Sequence, residues 1–326
     1  MTPTLSELLA RPLPDLRAEA RRVRLARFGR TVALFAPLYI SNRCINACRY
    51  CDFSSRHHTL PRITLSLDEI RREGEAIAAT GIRSLLIVAG EDPRHVTLDY
   101  LCALPALLSD HFESLSLEVA PQSEEAYRAL FAAGYQGLTC FQETYDRALY
   151  PTLHPVGPKH DFAWRLGTQL RAGRAGFRTL GLAFLMGLRD WHSEAEALAA
   201  HARMLMKTCW QARIQFAFPR IRPVDGGFIP AAPVDDETLE RLMLAFRIVF
   251  PEASITLSTR EAPTFRDRMA ELCADTLSAG SHVTPGGYAH PTDQTAQFSL
   301  ADPRSAAEVI ATLRARHLDP IFKQWA

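Results

Sequence analysis

Three thiols fall within eight residues in the stretch Cys44-Ile-Asn-Ala-Cys48-Arg-Tyr-Cys51. Thiolates are the ligands of iron-sulfur clusters, and three on one short loop can hold three corners of a 4Fe-4S cube, leaving the fourth iron without a protein ligand. An iron left open in this way can bind and activate a second molecule. A structural zinc site competes for the same residues, but it wants four ligands, usually as two separated pairs, and no second Cys/His pair at zinc-finger spacing follows. His57 and His58 stand near enough in sequence to supply a fourth ligand in that alternative. A disulfide is the weaker rival in a reducing setting.

Composition narrows the class further. The chain has 326 residues, 37 basic against 36 acidic ones, and 47% apolar residues, which describes a near-neutral globular protein with one large core or two ordinary ones. A net charge of +1 gives no general field for a polyanion, so nucleic-acid binding is not expected. The one arginine-rich stretch, Arg21, Arg22, Arg24, Arg27 and Arg30, reads as the wet face of a helix whose dry face is Leu16, Ala20, Val23 and Ala26. Apolar stretches at 32–40 and 180–188 fall short of the ~20 residues of a membrane span. The start lacks a basic segment followed by an apolar one, and the seven cysteines are an odd number. Both features lead to the expectation of a cytoplasmic protein without a membrane partner.

A reactive loop needs a scaffold. Eight short apolar runs, at 34–41, 84–90, 115–120, 137–143, 179–187, 213–219, 254–259 and 276–281, alternate with stretches of helical period. Three of the intervening helices are predicted to open on Ser-x-x-Glu capping boxes, at Ser66/Glu69, Ser193/Glu196 and Ser305/Glu308. In the first, Leu67, Ile70, Gly74 and Ile77 line one face. The alternation predicts an α/β fold, a (β/α)8 barrel over residues 31–290, with an N-terminal helical extension over 1–30 and a C-terminal helix over 291–326 completing it. An open doubly wound sheet has the same periodicity. The Pro- and Gly-rich stretches 150–160 and 219–236 then become long loops at the functional end of the barrel. Cys102, Cys209 and Cys273 fall in predicted helices and Cys140 in a predicted strand, and all four read as plain buried thiols.

The Cys-x3-Cys-x2-Cys spacing followed by Phe53 resembles the signature of the radical S-adenosylmethionine enzymes. The resemblance implies a barrel of that type and a definite chemistry. The amino and carboxylate groups of S-adenosylmethionine chelate the open iron, an electron from the reduced cluster cleaves the sulfonium C–S bond, and the resulting 5'-deoxyadenosyl radical takes hydrogen from the substrate. Further motifs narrow the family: Pro37-Leu-Tyr-Ile-Ser-Asn42, Val88-Ala-Gly-Glu91, Gln142-Glu-Thr-Tyr145, Asp161-Phe-Ala-Trp-Arg-Leu166, Phe218-Pro-Arg-Ile-Arg-Pro223, Leu257-Ser-Thr-Arg-Glu261 and Pro285-Gly-Gly-Tyr288. In this order, from about Phe35 to Trp325, they resemble the 2-iminoacetate synthase family, the tyrosine lyases of thiamine biosynthesis.

Site residues follow from the resemblance. Gly90 and Glu91 would meet the methionine amino group, for which a carboxylate is a fit acceptor. Glu143 would contact the cofactor's ribose or amino-acid part, and Arg165 would pair with its carboxylate through a planar fork. Ser258 and Arg260 would clamp the carboxylate of tyrosine, with Arg220 and Arg222 as second candidates for an anionic group and an Arg260–Glu261 surface pair as the plainer reading. Tyr50 and Phe53 would cover the cluster and the adenine. The implied reaction cuts Cα–Cβ of L-tyrosine, giving 2-iminoacetate and p-cresol. The implied partners are the thiazole synthase of the pathway and an electron donor such as flavodoxin or ferredoxin. A second cluster of the biotin-synthase kind is not expected, since three of the remaining thiols are placed on helices. The hydrogenase-maturation tyrosine lyases carry a further cluster domain, whereas the last cysteine here is Cys273. The rivals are a lyase for another aromatic amino acid such as tryptophan, and a non-catalytic iron-sulfur or zinc scaffold.

Overall fold

The computed structural model of the chain describes residues 3–222, 227–289 and 296–322. The sheet begins with β1 (Thr31–Ser41), β2 (Ser84–Ala89), β3 (Ser114–Glu118) and β4 (Gly137–Thr139). It continues with β5 (Thr179–Leu182), β6 (Arg213–Ala217), β7 (Ser254–Leu257) and β8 (Thr276–Ser278). Every pairing between these strands is parallel, and β1 bonds to both β2 and β8, which closes the barrel and excludes the open sheet. Period-two alternation along β1 shows how the sequence divides inside from outside. Phe35, Pro37 and Tyr39 line the interior, while Leu34, Ala36, Leu38 and Ile40 are wholly buried beneath the helices.

Twelve α-helices occur among the described residues: α1 (Leu5–Leu9), α2 (Leu13–Phe28), α3 (Leu67–Ala79), α4 (Leu98–Leu108), α5 (Glu124–Ala133), α6 (Tyr150–Leu153), α7 (Phe162–Leu166), α8 (Thr168–Arg174), α9 (Trp191–Thr208), α10 (Asp236–Val249), α11 (Pro263–Leu272) and α12 (Ala306–Ala315). Capping boxes at Ser66/Glu69 and Ser305/Glu308 open α3 and α12 as expected. The box at Ser193 does not form. Asp190, three residues earlier, accepts from the His192 amide and starts α9 sooner, so Ser193 is already inside the helix. In α3, Ile70, Gly74 and Ile77 are buried, but Leu67, in the first turn, is 39% exposed.

The N-terminal extension is two helices rather than one. On α2 the buried stripe is Leu16, Ala20 and Arg24, and Ala26 is exposed. Arg24 therefore leaves the expected wet face. Its guanidinium donates to the carbonyls of Ala274, Gly29 and Thr31, which replace the water lost on burial. After α12 the chain adds a short strand, β9 (Asp319–Ile321), parallel to the first residues of β1. The expected helical tail thus ends in a strand, which covers an edge of β1 that β2, pairing only from Ala36, leaves open. The Pro223 and Trp325 that bound two expected features lie outside the described residues.

Runs 137–143 and 179–187 are longer in sequence than β4 and β5. The surplus residues form isolated bridges, Glu143 with Phe184 and Met186 with Arg220, so the apolar pattern continues onto the barrel rim after the regular ladder has stopped. Cys102 is on α4, but Cys209 and Cys273 sit at helix C-caps and Cys140 just past β4.

Candidate active site

Of the cluster, cofactor and substrate residues named from the sequence, all but Arg220 line two cavities at the C-terminal end of the barrel, Phe53 and Arg222 on the cysteine side. Cys44, Cys48, Cys51, Tyr50, Gly90, Glu91, Glu143 and Arg165 line one; Ser258 lines the other, inside the barrel; Arg260 lines both. The two cavities share part of their lining, which sets a ligand in one beside a ligand in the other.

The cysteine loop leaves β1 at Ser41 and is stapled from both sides. Arg62 donates to the carbonyls of Asn42 (2.7 Å), Phe53 (2.6 Å) and Ser54 (2.6 Å). Opposite, Asn46 donates to Glu91 Oε2 at 2.8 Å and accepts from the Lys159 amide at 2.9 Å, tying the loop to the end of β2 and to the 150–160 loop. Gly90 belongs to this packing: a Cβ there would meet the Arg43 carbonyl oxygen at 2.3 Å. The close approach that Gly90 allows is therefore to the cysteine loop itself.

Burial pushes the Cys51 thiol up to about 11 and Cys48 higher still. Thiols so placed gain most from a cation that takes their protons. Among the described residues no three His, Cys, Asp or Glu side chains converge as a single metal ion requires. Three thiols of one loop lining one cavity suit a cube with ligands at separate corners.

Beside the thiols lies a buried charge network. Arg165 is aimed by α7, whose N-cap Asp161 accepts from the Trp164 amide at 2.9 Å. Its Nε donates to the Phe141 carbonyl at 2.6 Å and its Nη1 to Glu91 Oε1 at 2.8 Å. Burial opposes the Glu91 charge, but Arg165 and Lys159 outweigh it and hold the carboxyl below the usual range. Glu143 accepts from Lys159 Nζ at 2.6 Å. Its φ of +69° is a left-handed conformation that costs a non-glycine residue about 1–3 kcal/mol. Glu194 of α9 stabilises it from behind, accepting from Thr144 Oγ1 (2.7 Å) and the Tyr145 amide (2.6 Å). Tyr50 packs over Lys159 and donates to His154 Nε2 at 2.6 Å. Burial lowers His154 to about 2, so its ring is neutral, with Nδ1 donating to the Tyr150 carbonyl.

Across the barrel, Glu261 binds Arg220 and Arg222, and Arg220 also meets Asp236 at 2.8 Å. That removes the Arg260–Glu261 surface pair and commits the two second-choice arginines to a carboxylate of the protein. Arg260 instead lies over the Phe298 ring at 3.4 Å, between the two cavities.

Four residues of this arrangement escaped the sequence reading: Asn46, Lys159, His154 and Glu118. Glu118 ends β3, lines both cavities, and is pushed up to about 7 by burial, with Arg260 opposing. Its signal was a lone acid inside the apolar run 115–120, much as Glu91 directly follows the run 84–90.

Residues 38–201 match the radical SAM superfamily, and residues 217–319 match the Biotin and Thiamin Synthesis associated domain. The chain is 41% identical to the 2-iminoacetate synthase of Escherichia coli strain K12 over 326 residues, all of this chain and 86% of that protein. It is 41% identical to the enzyme of the same name from Salmonella typhimurium over 322 residues, 98% and 85% of the two chains. The crystal structure of the FeFe-hydrogenase maturase HydG from Carboxydothermus hydrogenoformans superposes with a TM-score of 0.92 at 33% identity, covering 99% of this chain and 76% of that one. No helix among the described residues is long and apolar enough to cross a membrane. A closed parallel barrel, a cysteine triad on its first loop and full-length similarity agree: the chain belongs to the 2-iminoacetate synthase family of the radical S-adenosylmethionine superfamily, whose members use a 4Fe-4S cluster and S-adenosylmethionine.

Proposed function

We propose that the chain splits the Cα–Cβ bond of L-tyrosine, releasing p-cresol and 2-iminoacetate for the thiazole of thiamine. The observation that carries this reading is the lining that the two cavities share, which includes Glu118, Phe141, Arg260 and Phe298. A cofactor on the cysteine side and an amino acid on the barrel side would be neighbours across it.

When bound, the cluster and S-adenosylmethionine supply the hydrogen-abstracting radical. Cys44, Cys48 and Cys51 would hold the cluster. Glu91 and Arg165, now paired with each other, present opposite charges to a zwitterion, so its ammonium and carboxylate can take over each partner's role. Glu143, with Lys159 and Tyr50 beside it, faces the same cavity and suits a ribose hydroxyl. Arg260 and Ser258 would take the tyrosine carboxylate, and Glu118 its ammonium. A carboxyl near 7 can also accept a proton from that ammonium, leaving the amine from which hydrogen is removed. Since 2-iminoacetate hydrolyses readily, direct transfer to a thiazole synthase completes the proposal, with a flavodoxin or ferredoxin as electron source.

Anaerobic reconstitution with iron, sulfide, reductant, S-adenosylmethionine and tyrosine should yield p-cresol, glyoxylate from hydrolysed 2-iminoacetate, and 5'-deoxyadenosine. Production of 3-methylindole from tryptophan, with no p-cresol from tyrosine, would transfer the activity to the other substrate.

Glu118 also makes a stability prediction. The folded protein retains its proton up to about pH 7, whereas an unfolded glutamate releases it near its model value of 4.5. The stabilising contribution is thus complete below 4.5 and lost as pH rises through 7. Glu118→Gln should therefore raise the melting temperature of the ligand-free protein at pH 8 and change it little at pH 4.5. An equal shift at both pH values would show that the carboxyl is not desolvated as described.

A further inference from the structure

The barrel cavity has an apolar waist and a polar floor. Leu86 and Ala217 line its middle, and Phe141 and Phe218 follow the ends of β4 and β6, nearer the rim. Beneath them stand Ser116, two residues before Glu118 on β3, and Thr256, two residues before Ser258 on the row that continues β7. Gln215 of β6 reaches the same floor. Barrel interiors are ordinarily filled by branched apolar side chains, so hydroxyls and an amide at this depth need a partner.

The amide is half committed. Gln215 Nε2 donates to Thr256 Oγ1 at 2.6 Å, while Oε1 accepts no hydrogen bond among the described residues. With Nε2 on Thr256, Oε1 is the end left open to a ligand. Two residues along a strand rise ~6.6 Å, close to the reach of a tyrosine side chain from Cα to its phenol oxygen. An amino acid held by Arg260, Ser258 and Glu118 at the rim would pass its ring through the apolar waist and set its para-hydroxyl on the floor.

We propose that Gln215 is the residue that selects a para-hydroxylated ring: its Oε1 accepts the phenol proton while the Ser116 hydroxyl donates to the phenol oxygen. The assignment rests on the tyrosine reading above and names the determinant of that choice. A site built to bond a hydroxyl rejects a ring lacking it, because its own polar groups are then left without partners. Phenylalanine, of nearly the same shape, should fit the waist but leave the floor unsatisfied.

The test is equilibrium binding by calorimetry to anaerobic holoenzyme with S-adenosylmethionine present and no reductant, so that nothing turns over. Wild type should bind tyrosine about 10- to 100-fold more tightly than phenylalanine. Gln215→Met, nearly isosteric, should lose most of that factor for tyrosine and leave phenylalanine within about twofold. Equal affinity of Gln215→Met and wild type for tyrosine overturns the assignment, as does an equal loss for both ligands. O-methyltyrosine, which cannot donate, needs no variant. Wild-type affinity for it matching that for tyrosine would also overturn the assignment, whereas a clear loss supports it even if Gln215→Met fails to fold. A holoenzyme that binds tryptophan but neither tyrosine nor phenylalanine would instead sink the underlying substrate reading, and this assignment with it.

Discussion

Cys48→Ala is expected to give a folded, colourless protein that neither retains iron nor cleaves S-adenosylmethionine. The thiol is 5% exposed and packs with Tyr50, Leu153, Leu185 and Leu188, outside the large core between strands and helices. Removing one buried sulfur there costs about 1 kcal/mol, too little to unfold a barrel of this size. For the cluster the loss is categorical, because two remaining thiols cannot hold three corners of a cube. Iron and sulfide per chain after anaerobic reconstitution, the visible absorbance, and 5'-deoxyadenosine formed with reductant should all fall to background, while far-ultraviolet circular dichroism stays at the wild-type level. Cys140→Ala is the matched control. Cys140 lines the same cavity but comes from beyond β4 rather than from the cysteine loop, and it should keep its cluster. Loss of iron in Cys140→Ala as well would mean a fourth protein ligand, no open iron, and no place for S-adenosylmethionine.

How much of this was readable beforehand depended on whether a group's partners are near it in sequence. The three cluster thiols share one loop, so their chemistry is contiguous and legible. The barrel was legible for a similar reason, since strand and helix periods are local. Strand ends were not, because Glu143, Phe184 and Met186 continue an apolar pattern while bonding only as isolated bridges. The charge network depends on distant encounters. Lys159 looks like a loop lysine until folding sets it 2.6 Å from Glu143, and Asn46 looks like a filler in the cysteine motif until it bonds Glu91, 45 residues away. Arg24 misled in the opposite sense. Arginines on a helix ordinarily face water, and only the fold reveals three backbone carbonyls waiting for one of them. Glu118 and Gln215 became visible only when closure of the barrel turned their faces inward.

Arg260→Ala should leave the cluster and the S-adenosylmethionine site as they are and remove tyrosine. Arg220 and Arg222 are neutralised by Glu261, whereas Arg260 has no ion pair among the described residues and faces the cavity across the Phe298 ring. Burial draws its pKa down, so the site bears the cost of a desolvated cation that an incoming carboxylate would offset. Removing one partner of such a pair typically costs 2–5 kcal/mol, so kcat/KM for tyrosine should fall by roughly 30- to 5000-fold. Arg260→Lys should recover only part of this, since it keeps the charge but not the planar fork. Loss of the ring contact alone would appear as a lower melting temperature, and it would weaken tyrosine and tyramine alike. The discriminating comparison is therefore a cycle: tyramine lacks the carboxylate, and the Ala substitution should weaken its binding far less than that of tyrosine. Equal losses for the two ligands, or tyrosine turnover at the wild-type level, would reassign Arg260 to packing and leave the substrate carboxylate to be met from another wall of the cavity.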